Sequence, residues 1–168
     1  SSAKVYTVDR TNVVDLGSSF TCLWATCNLG ASNPGDFGNH YAWAETTTKS
    51  SYNFSTCKYG TSRENLTKYN STDGKRELET SDDPAHAEGG WRMPVESELT
   101  TLCGQNKTWE IQDGHNGYKF YTDYGSVFLP AAGHYSSTEH RDANDHGSYL
   151  TSTLLSDDLA HCYYMTIS

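Results

Sequence analysis

Residues 133–153, with the sequence GHYSSTEHRDANDHGSYLTST, carry three of the seven histidines of the chain together with several Asp and Asn side chains. Such side chains bind metals, move protons and form hydrogen bonds, and few of their neighbours here could pack into a core. His134, His140 and His146 follow one another at intervals of six residues, which matches neither one face of a helix nor a known zinc spacing. We therefore expect no shared metal, and the stretch is either a solvated loop or a binding surface.

Two acidic stretches raise the question of calcium. Within residues 142–147 the side chains Asp142, Asn144 and His146 alternate as calcium ligands do, but the bidentate Glu that completes a calcium loop is missing. The turn-rich residues 81–90 offer three further carboxylates, those of Asp82, Asp83 and Glu88. These three are either a calcium site or helix caps and surface charge. Apart from calcium at this place, the sequence indicates no cofactor.

Catalytic signatures are weak throughout the chain. No G-x-S-x-G motif is present, so the strand-to-helix turn that exposes a nucleophilic serine is not indicated. No carboxylate pair is marked out for glycoside hydrolysis. The five cysteines form no C-x-x-C pair, so they are either one or two disulfides of an exported protein or buried thiols. We expect a protein that is not an enzyme.

Composition excludes several classes of partner. The formal net charge of −9 leaves no basic stripe to neutralise phosphates, so we expect neither a nucleic-acid partner nor an anionic membrane surface. No stretch approaches the ~20 apolar residues that span a bilayer, so direct membrane insertion is not expected. With 12 Tyr, four Trp and 14 Gly among 168 residues, the chain favours aromatic strands joined by tight turns in one domain, residues 1–168.

The elements that would position these side chains are many short strands and few helices. Residues 93–103 (MPVESELTTLC) predict the main helix, with Pro94 in its first turn, Leu99 and Leu102 in its apolar stripe, and Trp91 buried beneath it. Alternating apolar residues predict strands, separated by turn signals at Asp113-Gly114 and Asn116-Gly117, over residues 4–8, 12–17, 20–30, 39–46, 108–112, 117–122, 126–133, 149–155 and 160–167.

Residues 46–83 lack such periodicity and are rich in Ser, Thr and Asn, so they predict a long packed loop. Its aromatic residues would be the anchors, and they are Tyr52, Phe54, Tyr59 and Tyr69. Together these elements predict an α+β domain with small antiparallel sheets, one or two helices and long irregular loops.

Three stretches are more distinctive, and they contain the phrases WATCN, YAWAET, WRMP and FLPAAG. From residue 13 onward the chain resembles the major paralogous domain named after Fibrobacter succinogenes, found in exported proteins and lipoproteins of Bacteroidetes. That family is similar to the formylglycine-generating-enzyme branch of the C-type lectin fold, and WRMPVESEL is similar to a WRLPTEAEW phrase of that branch. The resemblance implies a C-type-lectin-like fold. It also implies a further strand, which the family has beyond the position of Ser168.

The resemblance further implies that residues from about 136 onward form an exposed ligand-binding face. In some relatives, retroelements diversify that face by mutating adenines, which yields Asn, Asp, His, Ser, Thr and Tyr but never Glu. Glu139 would then be fixed, and Tyr135 would be the main contact. The implied ligand-binding residues are His134, Tyr135, Ser136, Thr138, His140, Asp142, Asn144, Asp145, His146, Ser148 and Leu150.

The chain departs from its relatives where their chemistry is concerned. The Glu-Pro-Asn or Gln-Pro-Asp tripeptide of calcium-dependent lectins is absent, and the paired catalytic cysteines of the oxidases cannot be matched to Cys162 alone. We expect a non-catalytic binding module that is secreted or held on the cell surface as an outer-membrane lipoprotein, with a protein or glycan on a cell surface as partner. The alternatives are a formylglycine-generating type of oxidase and a structural surface module, and a phage virion is the alternative location.

Overall fold

The computed structural model of the chain describes residues 12–155 and 162–168, with the backbone alone for 162–165. The strand predicted over residues 4–8 lies outside these ranges. Within the described part, no helix has the length and apolar character needed to cross a membrane. Small antiparallel sheets and two short α-helices make up the described part, which confirms the α+β class.

The helices are α1 (Pro84–Gly89) and α2 (Glu96–Cys103), and short 3-10 turns lie at Phe54–Thr56, Arg63–Asn65 and Thr80–Asp82. The strands, in chain order, are β1 (Val13–Val14), β2 (Trp24–Ala25), β3 (Asn106–Gln112), β4 (His115–Tyr121), β5 (Ser126–Pro130), β6 (His134–Ser136), β7 (Glu139–Arg141), β8 (Gly147–Leu154) and β9 (Cys162–Ile167). Strands β3, β4 and β5 form the largest sheet, and β1–β2, β6–β7 and β8–β9 are antiparallel pairs.

The β3–β4 hairpin confirms one predicted turn and corrects the other. Asp113 and Gly114 both have positive φ, of 50° and 84°, as a tight two-residue hairpin turn requires. Asn116-Gly117 is no turn, because both residues pair with β3 inside β4. A glycine is needed there for a different reason: a Cβ on Gly117 would collide with the backbone carbonyl of Leu129 on β5.

Helix α2 begins at Glu96, three residues later than predicted, and ends before Gly104 as predicted. The delay has a physical cause, since residues 93–95 are held extended against β8 by a hydrogen bond from the backbone N–H of Ser152 to the carbonyl of Pro94 (2.9 Å). Leu99 and Leu102 are buried, as the apolar stripe predicted. Trp91 is half-buried.

Two apolar clusters form the core, on opposite sides of β8. The first lies beneath the large sheet and α2, and its buried members are Leu16, Leu99, Leu102, Phe120, Val127, Leu129 and Ile167. The second holds the irregular part of the chain, and its buried members are Trp43, Ala44, Tyr69 and Leu154. Phe54 and Tyr59 pack against the second cluster, so the predicted anchoring of the long loop by its aromatic residues is confirmed.

The strand predicted around Tyr41 and Trp43 is wrong. This segment is a turn in which Ala44 has a φ of 65° and the Glu45 N–H donates to the Ala42 carbonyl. Trp43 is buried, and its indole N–H donates to the Thr151 carbonyl on β8 at 2.8 Å. The aromatic residue therefore faces inward to anchor a loop, which an alternating pattern over so few residues cannot distinguish from a strand.

Candidate binding face

The polar segment after β5 folds into a short hairpin, which we call the hairpin (residues 134–141). Tyr135 of β6 pairs directly with His140 of β7. The turn is tight, with Ser137 at a φ of 57°. Ser137 also exchanges two backbone hydrogen bonds with Tyr52 of the long loop, at 2.9 and 3.2 Å, so the tip of the hairpin is tied to the body of the protein.

The base of the hairpin is fixed by backbone contacts. Gly133 has a φ of 67°, and a Cβ there would collide with the Arg141 carbonyl. The Gly133 N–H donates to the His146 carbonyl at 2.7 Å. The Asn144 N–H donates to the Ala131 carbonyl at 2.8 Å. The segment is therefore neither a free loop nor a regular sheet, but a polar surface with a defined backbone.

The hairpin presents a group of aromatic and imidazole rings, the ring cluster, whose members are Phe37, His40, Tyr52, His115, Tyr135 and His140. Tyr135 and His140 lie parallel across the hairpin, with ring centroids 5.0 Å apart and planes 5° from parallel. Tyr52 and His40 each lie 5.1 Å from Tyr135. Phe37 stacks on His115 at 3.9 Å and meets the edge of His140 at 5.9 Å. Tyr135 remains 36% exposed, so the cluster is open to a partner.

Two histidines share one backbone acceptor beneath these rings. The Nε2 atoms of His40 and His140 lie 2.9 and 2.6 Å from the Ala132 carbonyl oxygen. Because a carbonyl only accepts, each Nε2 must carry its hydrogen. Burial, followed by the nearby imidazoles of His140 and His134, lowers the pKa of His40 in spite of its hydrogen bond to Ala132.

The charged side chains of the hairpin pair with one another. The Arg141 guanidinium donates to the Glu139 carboxylate, with its Nε at 2.9 Å. His134 Nδ1 lies 3.5 Å from an Asp142 carboxylate oxygen. The Glu139 and Arg141 charges beside the exposed rings are thus already paired, which lowers the cost of covering this surface.

The structure brings the predicted binding residues onto one segment but not all to its surface. Asn144 is half-buried, and its Oδ1 accepts from the Asn116 N–H at 3.1 Å. Leu150 packs against the second core cluster. The exposed members are Tyr135, Thr138, His140, Asp142, Asp145 and His146, and the half-buried ones are His134, Ser136, Asn144, Ser148 and Leu150.

Sequence reasoning missed four members of the ring cluster as site residues. Phe37, His40 and His115 lie in turn-rich segments that carry no binding pattern, and Tyr52 was predicted only as an anchor of the long loop. They reach the hairpin because the fold brings distant segments together, as in the 92-residue separation between His40 and Ala132. No local spacing could have revealed this.

The three acidic candidates for calcium have other roles in the structure. Asp82 is buried and accepts from Lys58 at 3.2 Å and from Lys68 at 2.7 Å, as well as from two tyrosines. Asp83 caps α1 through the Ala85 N–H at 2.8 Å. Glu88 is exposed on α1. Among the described residues, no three His, Cys, Asp or Glu side chains group as a metal ion would require.

The cysteines whose side chains are described, Cys22, Cys27, Cys57 and Cys103, have free thiols. Burial, together with a hydrogen bond to Glu98, raises the pKa of Cys22 to about 11. Burial also raises the pKa of Cys57 and of Cys103. Raised pKa values keep these thiols protonated at neutral pH, which makes them poor nucleophiles.

Comparison with models of known families, with curated proteins and with solved structures found no match to this chain.

Proposed function

We propose that the chain is a non-catalytic binding module, and that its hairpin and ring cluster contact a protein or glycan on a cell surface. The observation that carries this proposal is the Tyr135–His140 pair, which is exposed on a hairpin fixed at both its tip and its base. A ring that is already oriented loses little conformational entropy on binding, so modest contacts yield useful affinity. Tyrosine is also among the residues that most often dominate binding energies.

We further propose a C-type-lectin-like fold and membership of the family named after Fibrobacter succinogenes. Support comes from the small antiparallel sheets, the long packed loop, and a short helix that follows Trp91 and Arg92 in sequence. Arg92 reaches forward to form two hydrogen bonds, of 2.7 and 2.6 Å, with the Glu98 carboxylate. The location that goes with this family is the cell surface, an outer-membrane lipoprotein or the secreted fraction, and a phage virion is the alternative.

Binding is tested with a variant in which Tyr135, His140, Asp142 and His146 are all replaced by Ala. All four side chains are exposed, and the backbone hydrogen bonds that fix the tip and base of the hairpin do not depend on them, so the variant should remain folded with little change in thermal stability. Fluorescently labelled protein is applied to a glycan array and to intact bacterial cells. We expect the wild-type protein to bind at least one of them, and the variant to bind it at least about tenfold more weakly, a loss of ~1.4 kcal/mol.

A matched control replaces exposed side chains of α1, His86 and Glu88, by Ala, and should bind as the wild-type protein does. If the quadruple variant unfolds, or if it binds as tightly as the control, the hairpin is a structural loop and the proposal fails. Oxygen consumption that depends on an added thiol peptide and copper would instead place the chain with the oxidases.

Retroelement diversification of the face is part of the same proposal. The exposed positions Thr138, His140, Asp142, Asp145 and His146 all carry residue types that adenine mutation of Asn codons can produce. Glu139, which that process cannot produce, is paired with Arg141 inside the hairpin. Sequencing around the gene tests this: a reverse transcriptase beside a near-copy of the region encoding residues 133–168 would support it. Identical sequence of this region across many isolates would contradict it.

A further inference from the structure

We propose that His40 and His140 act as a pH-sensitive pair, which fixes the ring cluster when both imidazoles are neutral and loosens it when both are protonated. Partner release in mild acid would follow, and that consequence rests on the proposed binding function. The interaction between the two rings does not rest on the proposed binding function, since it depends only on contacts within the chain.

The shared acceptor fixes the positions of both rings. Each neutral imidazole has one N–H, and both rings direct theirs to Ala132 O, which has two lone pairs to receive them. The ring centroids of His40 and His140 are 4.9 Å apart. Both rings also contact Tyr135, so their positions determine that of the one tyrosine of the hairpin.

Apart from the Ala132 carbonyl, whose hydrogen bond raises the pKa of His40, the groups that the structure places against this ring carry no negative charge to stabilise a cation. His140 on β7 and His134 on β6 are imidazoles, and their proximity lowers the pKa of His40. Tyr135 on β6 presents a phenol ring, and the Tyr52 hydroxyl from the long loop donates to the His40 carbonyl at 2.7 Å. The Asp142 carboxylate lies 3.5 Å from His134 Nδ1.

Protonating both rings would place two cations, with ring centroids 4.9 Å apart, at a site where His40 is half-buried. The exposed ring is the one that can move. When His140 swings outward it leaves the parallel stack with Tyr135, and the edge contact with Phe37 is lost as well.

The linkage between protonation and folding gives the direction of the pH effect. The pKa of His40 lies below its usual value of 6.5 in the folded protein, so folding is favoured by the neutral ring. This contribution is complete above about pH 6.5 and is lost as the pH falls through the lowered pKa of the folded state. We therefore expect the ring cluster to loosen below pH 6.5 rather than above it.

Nitrogen-15 NMR of the histidine side chains tests the pair directly. At pH 7.5 we expect both rings as neutral Nε2–H tautomers, and on acidification we expect the Tyr135 ring signals to shift as His40 is protonated. In His40→Gln, whose amide can still donate to Ala132, the Tyr135 ring signals should shift much less on acidification. The control His86→Gln, on α1, should show the same Tyr135 shift as the wild-type protein.

Binding to intact cells or to the glycan array, measured at pH 7.5 and 5.0, distinguishes this inference from the proposed function. We expect wild-type affinity to fall at least about tenfold, and His40→Gln to show a much smaller fall. Tyr135 signals that stay unmoved while His40 is protonated would overturn the pair. Absence of binding at every pH would overturn the proposed function and leave the NMR result standing.

Discussion

The buried carboxylate of Asp82 stays charged because hydrogen bonds from four side chains offset the free energy lost when it is removed from water. Burial by itself raises the pKa of Asp82, but hydrogen bonds from Lys68, Tyr59, Tyr69 and Lys58 outweigh it and hold the pKa at about 2. The two lysines also lie over tyrosine rings, at 5.0 to 5.2 Å from the centroids. This one residue therefore connects two places in the long loop, residues 58–59 and 68–69, to the start of α1.

Replacing Asp82 by Asn should lower the free energy of unfolding by about 2 kcal/mol at pH 7, because two lysines and two tyrosines lose a charged acceptor, although Lys68 keeps the Glu79 carboxylate 2.6 Å away. The wild-type advantage is present above the unfolded pKa of 3.8 and is lost as the pH falls through about 2. Urea unfolding at pH 7, 4 and 2.5 should therefore show the two proteins converging in acid. Glu88→Gln, a change at an exposed carboxylate, serves as control, and an Asp82→Asn deficit that persists unchanged at pH 2.5 would contradict this account.

Sequence could identify the residue type of Asp82 but not its role. Acidic residues just before a Pro are equally compatible with a calcium ligand, a helix cap and surface charge. The role of the Asp82 carboxylate depends on its pairing with Lys58 and Lys68, which lie 24 and 14 residues away in the chain. Asp83, by contrast, is decided locally, because a helix cap needs only the next few residues.

At the scale of elements, the hairpin depends on one glycine. Gly133→Ala places a Cβ at a φ of 67° and against the Arg141 carbonyl. We expect a loss of roughly 3 kcal/mol, of which ~1 kcal/mol is the left-handed backbone and the rest is the collision. Gly114→Ala is the matched control, since its φ of 84° is also left-handed but a Cβ there meets nothing within 4 Å. Thermal unfolding compares them, and equal losses would show that the collision relaxes at no cost.

Elements whose signals lie within a few neighbouring residues were predictable. The β3–β4 hairpin follows from alternating residues around Asp113-Gly114, and α2 follows from its apolar stripe. The predictions failed where a distant contact decides the conformation. Residues 93–95 are extended because β8 holds them, and Gly117 serves the approach of β5 rather than a turn.

At the scale of the molecule, β8 is the element that contacts both core clusters. Tyr149 packs against the first core cluster, and its neighbour Leu150 packs against the second, since successive side chains of a strand point to opposite sides. The Tyr149 hydroxyl also donates to the Pro130 carbonyl at 2.7 Å, just before the hairpin begins. The α+β class could be predicted from composition and turns. The assembly of the ring cluster could not, because it depends on how the two clusters dock.

This arrangement predicts that the long loop and the large sheet unfold together. Leu154, at the end of β8, is buried in the second cluster, and Leu154→Ala should cost roughly 3 kcal/mol through lost burial and the cavity left behind. Because β8 serves both clusters, we expect urea unfolding of the variant to remain one transition. Hydrogen exchange should accelerate in β4 and β5 as well as around Tyr69.

The neighbouring change Leu155→Ala, at a side chain that is 59% exposed, should alter stability by less than about 0.5 kcal/mol. Faster exchange confined to residues 46–83 would mean that the loop opens by itself and that β8 does not couple the two clusters.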